Sequence, residues 1–590
     1  MKRQDLQQAA QRYLAAEQDQ TFRDQVAGLL EAENWTELED RFYRDLEFGT
    51  GGLRGVIGGG FNRMNPFVLS RATTGLARYV AAHGTAGSDG IKRAVLAHDS
   101  RRYSREFAQI AARVFAAHGI KAYLFDALRP TPELSFALRE LGASVGCVVT
   151  ASHNPPEYNG FKVYWDDGSQ VVAPHDAAII EEVLAIQPDD ISMVEFDSAV
   201  AAGTIEIIGS EMDDAFVAMV KRQSVEPALL ESSGSEVTAV YTPLHGTGAP
   251  LVERVLGELG VTVHTVPEQR EPDGDFPTVA FPNPEEASAL EAALELGRAK
   301  GADIVLGTDP DADRLGIAVP DGDDFTLVTG NQLGVLLVDY IFGRRAELGT
   351  LPPDPVFVTT IVTTTMQRAV AEARGATVYE TLTGFKHIAA VMRRLETEPG
   401  NYVMGDEESY GYLIGTEVRD KDAITAVVLT VEMALYWRRQ GKTLLQRLAE
   451  LWHEFGYHQD ESISRYFKGP NGGTIMGGMM KRLREQAPQT FGGLSVTGVI
   501  DYLNDTELDP ATGASKPGPG LPRSNVLQYH LTDGARVCAR PSGTEPKIKF
   551  YITCCEQPGK DPVAARQAVN AQIAAIERDV IAIIEAAEQV

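Results

Sequence analysis

The 590-residue chain is poor in cysteine and in basic residues, and it has no long apolar run. Its four cysteines, Cys147, Cys538, Cys554 and Cys555, include no C-x-x-C pair, so they indicate reduced thiols rather than a disulfide framework or a zinc site. No segment has the apolar length of a membrane span, and the first twenty residues lack the apolar core of a secretory signal. We therefore expect a cytoplasmic protein with no membrane partner.

The charge balance is strongly acidic. Lys and Arg total 54 against 82 for Asp and Glu, which gives a formal net charge of −28. A chain of this charge repels nucleic acid at long range, so we expect no nucleic-acid partner. An anionic substrate would need a local cationic site that overcomes the overall field.

The length and the hydrophobic pattern predict several α/β domains. A single hydrophobic core stops growing at about 250–300 residues, so the chain must contain more than one. Short β-branched runs alternate with helical stretches, which favours α/β units with mostly parallel strands; these runs are residues 94–97, 145–150, 237–241, 303–307 and 356–360. Residues 1–45 are predicted to form amphipathic helices, and residues 509–522 a long surface loop.

The first segment with candidate catalytic residues is Thr150-Ala-Ser-His-Asn-Pro, which follows a hydrophobic strand. A strand that ends in a turn rich in Asn, Pro and Gly presents Ser152 in an exposed and rigid position. Taken singly, each residue is better explained without catalysis: Ser152 as a turn former, His153 as a structural hydrogen-bonding residue and Lys162 as a solvated charge.

The second segment places Asp309, Asp311 and Asp313 at every second position between two apolar strands. Carboxylates at this density repel one another unless a cation joins them, and they suit a hard ion such as Mg²⁺ or Ca²⁺. An EF-hand is excluded, because Arg314 and Pro320 occupy the positions of its glycine and its glutamate. An acidic solvated turn remains an alternative, as does a phosphatase that uses Asp309 as its nucleophile.

Two further segments favour sugar and phosphate binding. Glu407 and Ser409 are close enough in sequence to share hydrogen bonds with adjacent sugar hydroxyls. Arg540, two hydroxyls and a glycine amide form a donor set for a phosphate, the other members being Ser542, Gly543 and Thr544. A polar turn and a hairpin turn are the alternatives for these segments.

Two glycine-rich segments carry less information. In residues 49–55, Arg54 replaces the last glycine of a dinucleotide-binding fingerprint and no apolar strand precedes the segment. His245-Gly-Thr-Gly follows a strand and is compatible with a simple tight turn.

Taken in order, the four segments closely resemble those of the α-D-phosphohexomutase superfamily, the phosphoglucomutases and phosphomannomutases. The resemblance extends from Gly49 to Phe550. It implies four domains around a central cleft, three of mixed α/β type and a smaller C-terminal α+β domain, with predicted bounds of 1–205, 206–325, 326–455 and 456–590.

The resemblance also implies a role for each segment. Ser152 would carry the phosphoryl group, and Asp309, Asp311 and Asp313 would hold Mg²⁺ together with a phosphoserine oxygen. Arg54, His153 and Lys162 would complete the catalytic set, with Lys162 as the candidate general base. The implied substrate-binding residues are Arg314, Lys386, Glu407, Ser409, Arg540, Ser542, Gly543 and Thr544.

Within the superfamily, residues 49–55, Thr383-Gly-Phe-Lys-His and Arg419-Asp-Lys-Asp are similar to the longer phosphoglucomutase/phosphopentomutase branch. The function implied is a phosphoglucomutase, an intramolecular phosphotransferase of carbohydrate metabolism that acts on small phosphosugars with glucose 1,6-bisphosphate as intermediate and activator. A phosphopentomutase or a phosphomannomutase is the alternative. Tyr410 and Gly411 replace the Gly-His that follows the sugar-loop serine in bacterial phosphomannomutases, so no proton-transfer role of that histidine carries over.

Overall fold

The computed structural model describes residues 1–49, 51–467, 471–542 and 547–589. The chain forms two compact units. The first comprises Met1–Gly330, Ala389–Glu398 and Ser409–Tyr436, and the second comprises Asn331–Ile388, Pro399–Glu408 and Trp437–Val590. None of the described helices is long and apolar enough to cross a membrane.

The first unit begins with the predicted amphipathic helices, α1 (Arg3–Ala16), α2 (Gln20–Glu31) and α3 (Trp35–Phe42). Asp19 and Asn34 cap the second and third helices by accepting backbone N–H groups of the first turn. Buried Glu17 accepts the hydroxyl of Tyr13 at 3.0 Å and the N–H of Phe67 at 3.1 Å. The N-terminal helices are thereby fixed to the first α/β domain.

A six-stranded sheet follows, in the order β1-β5-β4-β2-β3-β6. Strands β4, β2, β3 and β6 are parallel, while β1 and β5 are antiparallel to their neighbours. The strands are β1 (Gly52–Val56), β2 (Arg93–His98), β3 (Lys121–Phe125), β4 (Val145–Val149), β5 (Tyr158–Trp165) and β6 (Ile205–Ile208). The helices are α4 (Pro66–His83), α5 (Ser104–Ala117), α6 (Thr131–Glu140), α7 (His175–Ala185) and α8 (Phe196–Ala201).

The second sheet of this unit has five strands in the order β11-β10-β9-β7-β8. Strands β8, β7 and β9 are parallel, and β10 and β11 form an antiparallel edge. The strands are β7 (Thr238–Thr242), β8 (Thr262–Thr265), β9 (Ile304–Thr308), β10 (Leu315–Asp321) and β11 (Asp324–Val328). The helices are α9 (Ser210–Arg222), α10 (Pro227–Ser233), α11 (Ala249–Glu258), α12 (Pro267–Arg270) and α13 (Glu291–Lys300).

The next part of the chain alternates helix and strand as predicted. Strands β13, β12 and β14 run parallel in that order. The elements are α14 (Gly330–Leu348), β12 (Pro355–Thr360), α15 (Thr365–Ala373), β13 (Thr377–Thr381), α16 (Phe385–Leu395), β14 (Asn401–Glu407), β15 (Gly411–Ile414), α17 (Ala423–Arg439) and α18 (Leu444–Phe455).

The C-terminal part is an antiparallel sheet in the order β16-β23-β22-β21-β18-β19-β20, with β17 paired to β18. Its strands are β16 (His458–Tyr466), β17 (Thr490–Phe491), β18 (Leu494–Asp501), β19 (Thr506–Leu508), β20 (Ser515–Pro517), β21 (Leu527–Leu531), β22 (Arg536–Pro541) and β23 (Lys547–Cys555). Helices α19 (Gly472–Glu485) and α20 (Pro562–Glu588) pack on it around one core.

One sequence prediction needs correction here. Residues 509–522 were expected to form only a loop, but β20 lies within them and pairs with β19. Its three residues, Ser515–Pro517, are exposed and carry no alternating apolar pattern, so nothing in the sequence distinguished them from a loop.

Candidate active site

Ser152 lies just beyond the carboxyl end of β4, as predicted, but it is only 4% exposed. The predicted exposure is therefore wrong, because the acidic loop covers its hydroxyl. Its φ of 51° is in the left-handed region, which few non-glycine residues adopt without support from their surroundings. Its N–H donates to Thr150 Oγ1 at 2.8 Å, and its hydroxyl donates to Asp309 Oδ2 at 2.8 Å. The serine and the acidic segment, 157 residues apart in sequence, therefore meet at one hydrogen bond.

The support for this serine loop comes from Arg101, which the sequence analysis did not identify. Its guanidinium donates to the carbonyl of Ser152 at 2.5 Å, to that of Pro155 at 2.8 Å, to that of Tyr158 at 3.0 Å and to that of Asn154. One buried side chain thus bonds four carbonyls of a single loop. The sequence signal was present, because Arg101 follows the buried strand β2 just as Ser152 follows β4.

The three aspartates of the acidic loop are buried together at the carboxyl end of β9. One oxygen of each carboxylate lies within 4.8 Å of the others. Asp311 Oδ1 and Asp313 Oδ1 have no hydrogen-bond partner among the described residues. Burial, together with the charges of Asp313 and Asp311, raises the pKa of Asp309 well above its ordinary value. Clustered buried carboxylates with unpartnered oxygens fit a divalent cation.

Two lysines contact the same carboxylates. Lys162 Nζ donates to Asp311 Oδ2 at 2.7 Å and to Asp313 Oδ2 at 3.2 Å, and Lys421 Nζ lies 3.1 Å from Asp313 Oδ2. Burial acts to lower the pKa of Lys162, but Asp311 and Asp313 outweigh it and the pKa is raised. A general base needs the opposite shift, so the pKa of Lys162 would have to fall before this lysine could accept a proton.

The remaining predicted residues of the first unit lie around Ser152. His153 Nδ1 is 3.2 Å from Ser152 Oγ, and burial, with Arg314 and Arg54 nearby, lowers the pKa of its imidazole well below the ordinary value. Arg54 reaches Asn154 Oδ1 at 3.5 Å. Arg314 donates to the carbonyl of Ser409 at 3.1 Å and pairs with Glu285. Arg54 and Arg314 therefore place two guanidinium groups close to the serine loop and the acidic loop.

Thr131, at the start of α6, is a second residue that the sequence analysis missed. Its N–H donates to the carbonyl of Asp311 at 2.9 Å, and its hydroxyl donates to Asp311 Oδ2 at 2.8 Å. Threonine at a helix start has an ordinary capping role, so no sequence signal marked it.

In the second unit, Glu407 ends β14 and accepts the N–H of Gly384 at 2.6 Å. This bond holds the start of the turn that leads into α16, where Lys386 is half-buried. Burial, Lys386 and Arg540 lower the pKa of His387 to about 4, which keeps its imidazole neutral.

Arg540 lies on β22 and donates to Tyr551 Oη at 3.4 Å. Burial acts to lower its pKa, but Tyr551, Glu408 and Glu407 together raise it, so its charge is maintained. Ser542 is half-buried, and its N–H donates to the carbonyl of Lys547 at 2.7 Å. The predicted phosphate ligands Gly543 and Thr544 lie outside the described residues.

A buried serine donates to a cluster of carboxylates on a chain of successive α/β domains. This arrangement suits an enzyme of phosphoryl transfer, and comparison with known proteins agrees. The profiles of the phosphoglucomutase/phosphomannomutase alpha/beta/alpha domains I, II and III match residues 45–190, 214–322 and 329–455. A phosphoglucomutase of Staphylococcus epidermidis is 35% identical over 524 residues, covering 88% of this chain and 92% of that protein. One from Staphylococcus aureus is 36% identical over 555 residues, covering 93% and 96%.

Solved structures show the same fold. Parafusin, a phosphoglucomutase from Paramecium in its open form, has a TM-score of 0.65 at 17% identity and covers 92% of this chain and 95% of its own. A phosphoglucomutase/phosphomannomutase family protein from Burkholderia thailandensis has a TM-score of 0.63 at 17% identity, with 92% and 97% covered.

The chain belongs to the phosphoglucomutase/phosphomannomutase family, and it is an intramolecular phosphotransferase. The predicted superfamily, fold class and enzyme class are confirmed, and the predicted phosphoglucomutase function agrees with the relatives that match most of the chain.

Proposed function

We propose that the enzyme interconverts α-D-glucose 1-phosphate and glucose 6-phosphate through a phosphoserine at Ser152 and a glucose 1,6-bisphosphate intermediate. The observation that carries the proposal is the 2.8 Å hydrogen bond from Ser152 Oγ to Asp309, inside a buried carboxylate cluster. Relatives at 35% and 36% identity that are named phosphoglucomutase support the choice of sugar.

Asp309, Asp311 and Asp313 are the proposed ligands of Mg²⁺, with an oxygen of phosphorylated Ser152 as a further ligand. Asp311 Oδ1 and Asp313 Oδ1 accept no hydrogen bond from the described residues, which favours this assignment, because a hard cation is the usual partner of such buried carboxylates. When bound, the cation would offset the charge of the phosphoserine and polarise the phosphoryl group.

Three residues around Ser152 would stabilise the transferring phosphoryl group and transfer protons. Arg54 lies beside the serine loop, where its guanidinium can stabilise the transferring phosphoryl group. Neutral His153 can share the proton of the Ser152 hydroxyl. Lys162 is the candidate base for the attacking sugar hydroxyl. To accept a proton it must first be neutral, which requires that Asp311 and Asp313 neutralise the charge of the proposed cation and no longer that of the lysine.

The proposed substrate contacts form a set for the phosphate and a set for the sugar. Arg540 and Lys386 supply positive charge for its phosphate, with Ser542, Gly543 and Thr544 as further donors. Arg314, Glu407 and Ser409 are the proposed contacts of the sugar. After the first transfer the bisphosphate must reverse its orientation, so that its other phosphate meets the dephosphorylated Ser152, and these contacts must accept the sugar in either orientation.

Arg540→Ala should raise KM for glucose 1-phosphate by about ten- to a hundredfold and slow turnover, while metal affinity is preserved. A charge-assisted hydrogen bond contributes about 1.5–3 kcal/mol, and the deleted guanidinium is the proposed phosphate ligand. Steady-state kinetics with a metal titration measure both quantities. Arg536→Ala, four residues earlier on β22, is the matched control and should leave KM unchanged. Loss of metal binding with a normal KM would show that the assignment of Arg540 to the substrate phosphate is wrong.

The order of kcat/KM among sugar 1-phosphates should be glucose first, mannose tolerated, and galactose and the pentoses much poorer. If Glu407 and Ser409 bind the 3- and 4-hydroxyls, the inverted 2-hydroxyl of mannose makes little difference. The inverted 4-hydroxyl of galactose leaves a polar group unpaired, which costs roughly 1–3 kcal/mol. A pentose phosphate is shorter and reaches Arg540 less well. A clear preference for ribose or deoxyribose 1-phosphate would replace glucose as the substrate and leave the mutase mechanism intact.

A further inference from the structure

The glycine-rich segment Pro243-Leu-His-Gly-Thr-Gly248, here called the 243–248 loop, joins β7 to α11 and is buried rather than exposed. Leu244 and His245 have φ values of 46° and 60°, two consecutive non-glycine residues in the left-handed region. Leu244 is 0% exposed and His245 is 2% exposed. Such a backbone persists only where its surroundings hold it, so the contacts of this loop merit a functional explanation.

The loop lies against the acidic loop because of the strand order. Strand β7 is the parallel neighbour of β9, with Thr242 opposite Gly307, so the segments that leave their carboxyl ends emerge side by side. The N–H of Thr247 donates to the carbonyl of Pro310 at 2.8 Å. Pro310 is the residue between Asp309 and Asp311, so this bond fixes the peptide that joins two of the carboxylates.

Gly246 makes a second contact with the same residue. A Cβ atom on Gly246 would lie 2.3 Å from Pro310 Cα and 2.5 Å from its carbonyl oxygen. The two backbones therefore approach so closely that only glycine fits, and any larger residue must displace the acidic loop or the 243–248 loop.

The other side of the 243–248 loop is anchored to residues 269–278. The N–H of His245 donates to the carbonyl of Gln269 at 3.0 Å, and His245 Nε2 lies 2.8 Å from Thr278 Oγ1. Gln269 Nε2 donates to the same hydroxyl at 2.9 Å. The 243–248 loop is thus hydrogen-bonded to residues 269–278 on one side and packed against Pro310 on the other.

We propose that the 243–248 loop is a positioning element for the metal site, and that Gly246 and His245 set the spacing of Asp309 and Asp311. The inference rests on the proposed binding of a divalent cation by these aspartates. Mg²⁺ demands near-ideal octahedral geometry with oxygens at about 2.0–2.1 Å, so a small shift of the Pro310 peptide would misplace ligands on both sides of it. Neither positioning residue contacts the cation or the substrate in this assignment.

The test is Mn²⁺ binding to the full-length protein, measured by electron paramagnetic resonance, since Mn²⁺ prefers the same oxygen ligands and is paramagnetic. Gly246→Ala should weaken Mn²⁺ binding by about tenfold or more, the loss typical when a residue supporting metal ligands is removed. Gly257→Ala is the matched control, because Gly257 lies in α11 with no atom within 4 Å of the added Cβ, and it should bind Mn²⁺ as the wild type does.

His245→Asn provides a second variant that does not crowd the acidic loop. Asparagine adopts the left-handed conformation readily but is too short to replace the imidazole at Thr278, so Mn²⁺ binding should weaken with the fold retained. If Gly246→Ala fails to fold, this variant decides the question. Wild-type affinity in His245→Asn, or in a folded Gly246→Ala, would overturn the positioning role.

Asp311→Asn in the same series separates this inference from the proposed function. If Asp311→Asn weakens Mn²⁺ binding while the loop variants bind normally, only the positioning role is wrong. If Asp311→Asn binds Mn²⁺ as tightly as the wild type, the metal assignment itself is wrong, and the positioning role is rejected with it.

Discussion

Ser152→Ala should reduce mutase turnover by several orders of magnitude while the protein stays folded. The hydroxyl is the proposed phosphoryl carrier, and it donates to Asp309 within the carboxylate cluster. The contacts that hold the loop survive the change, because they use backbone atoms: the N–H of Ser152 bonded to Thr150 and its carbonyl bonded to Arg101. Alanine occupies the left-handed conformation at about the same cost as serine.

Two measurements make this prediction specific. Intact and peptide mass spectrometry of the wild type should find a phosphate, about 80 Da, on Ser152, and none at that position in the variant. Ser70→Ala, a buried helical serine whose hydroxyl donates to a carbonyl of its own helix, controls for loss of a buried hydroxyl and should retain activity. Full activity of Ser152→Ala would rule out Ser152 as the carrier, and a labile acyl phosphate on Asp309 in place of acid-stable phosphoserine would identify an aspartate-nucleophile enzyme.

Asp311→Asn should lower both Mg²⁺ affinity and turnover, with only partial rescue by excess Mg²⁺. The change removes one negative charge from a buried site where Asp311 Oδ1 has no partner among the described residues. It also removes the ion pair at 2.7 Å to Lys162, so the lysine loses one of the carboxylates that raise its pKa. We expect the metal activation constant to rise by about tenfold or more, since removal of a ligand costs at least as much as removal of its support.

The control for charge is Asp323→Asn, which makes the same substitution in the exposed turn between β10 and β11. It should leave the activation constant unchanged, because the turn is solvated and its charge is screened. Activity of the wild type that survives exhaustive chelation would contradict a metal role for the aspartates.

The positions of several strands and of the short chemical motifs could be predicted from the sequence. Short β-branched runs between helical stretches located β2, β4, β7, β9 and β12 to within a residue or two, because a buried strand needs only its own side chains to be apolar. The chemical motifs were equally local. Three aspartates at alternate positions indicate a shared site before any neighbour is known. The exposure predicted for Ser152 was wrong, because its hydroxyl is covered by the acidic loop, which is distant in sequence.

The tertiary structure decided which residues complete those motifs. Arg101 is 51 residues from Ser152, and Lys421 is more than a hundred from Asp313; nothing in either local sequence specifies the contact. Such pairs meet because strand order brings the carboxyl ends of distant parallel strands to one edge, and strand order is a property of the whole sheet. The 243–248 loop illustrates the point: its sequence alone permits a simple tight turn, but the pairing of β7 with β9 places Gly246 against Pro310, and only that contact makes the glycine necessary.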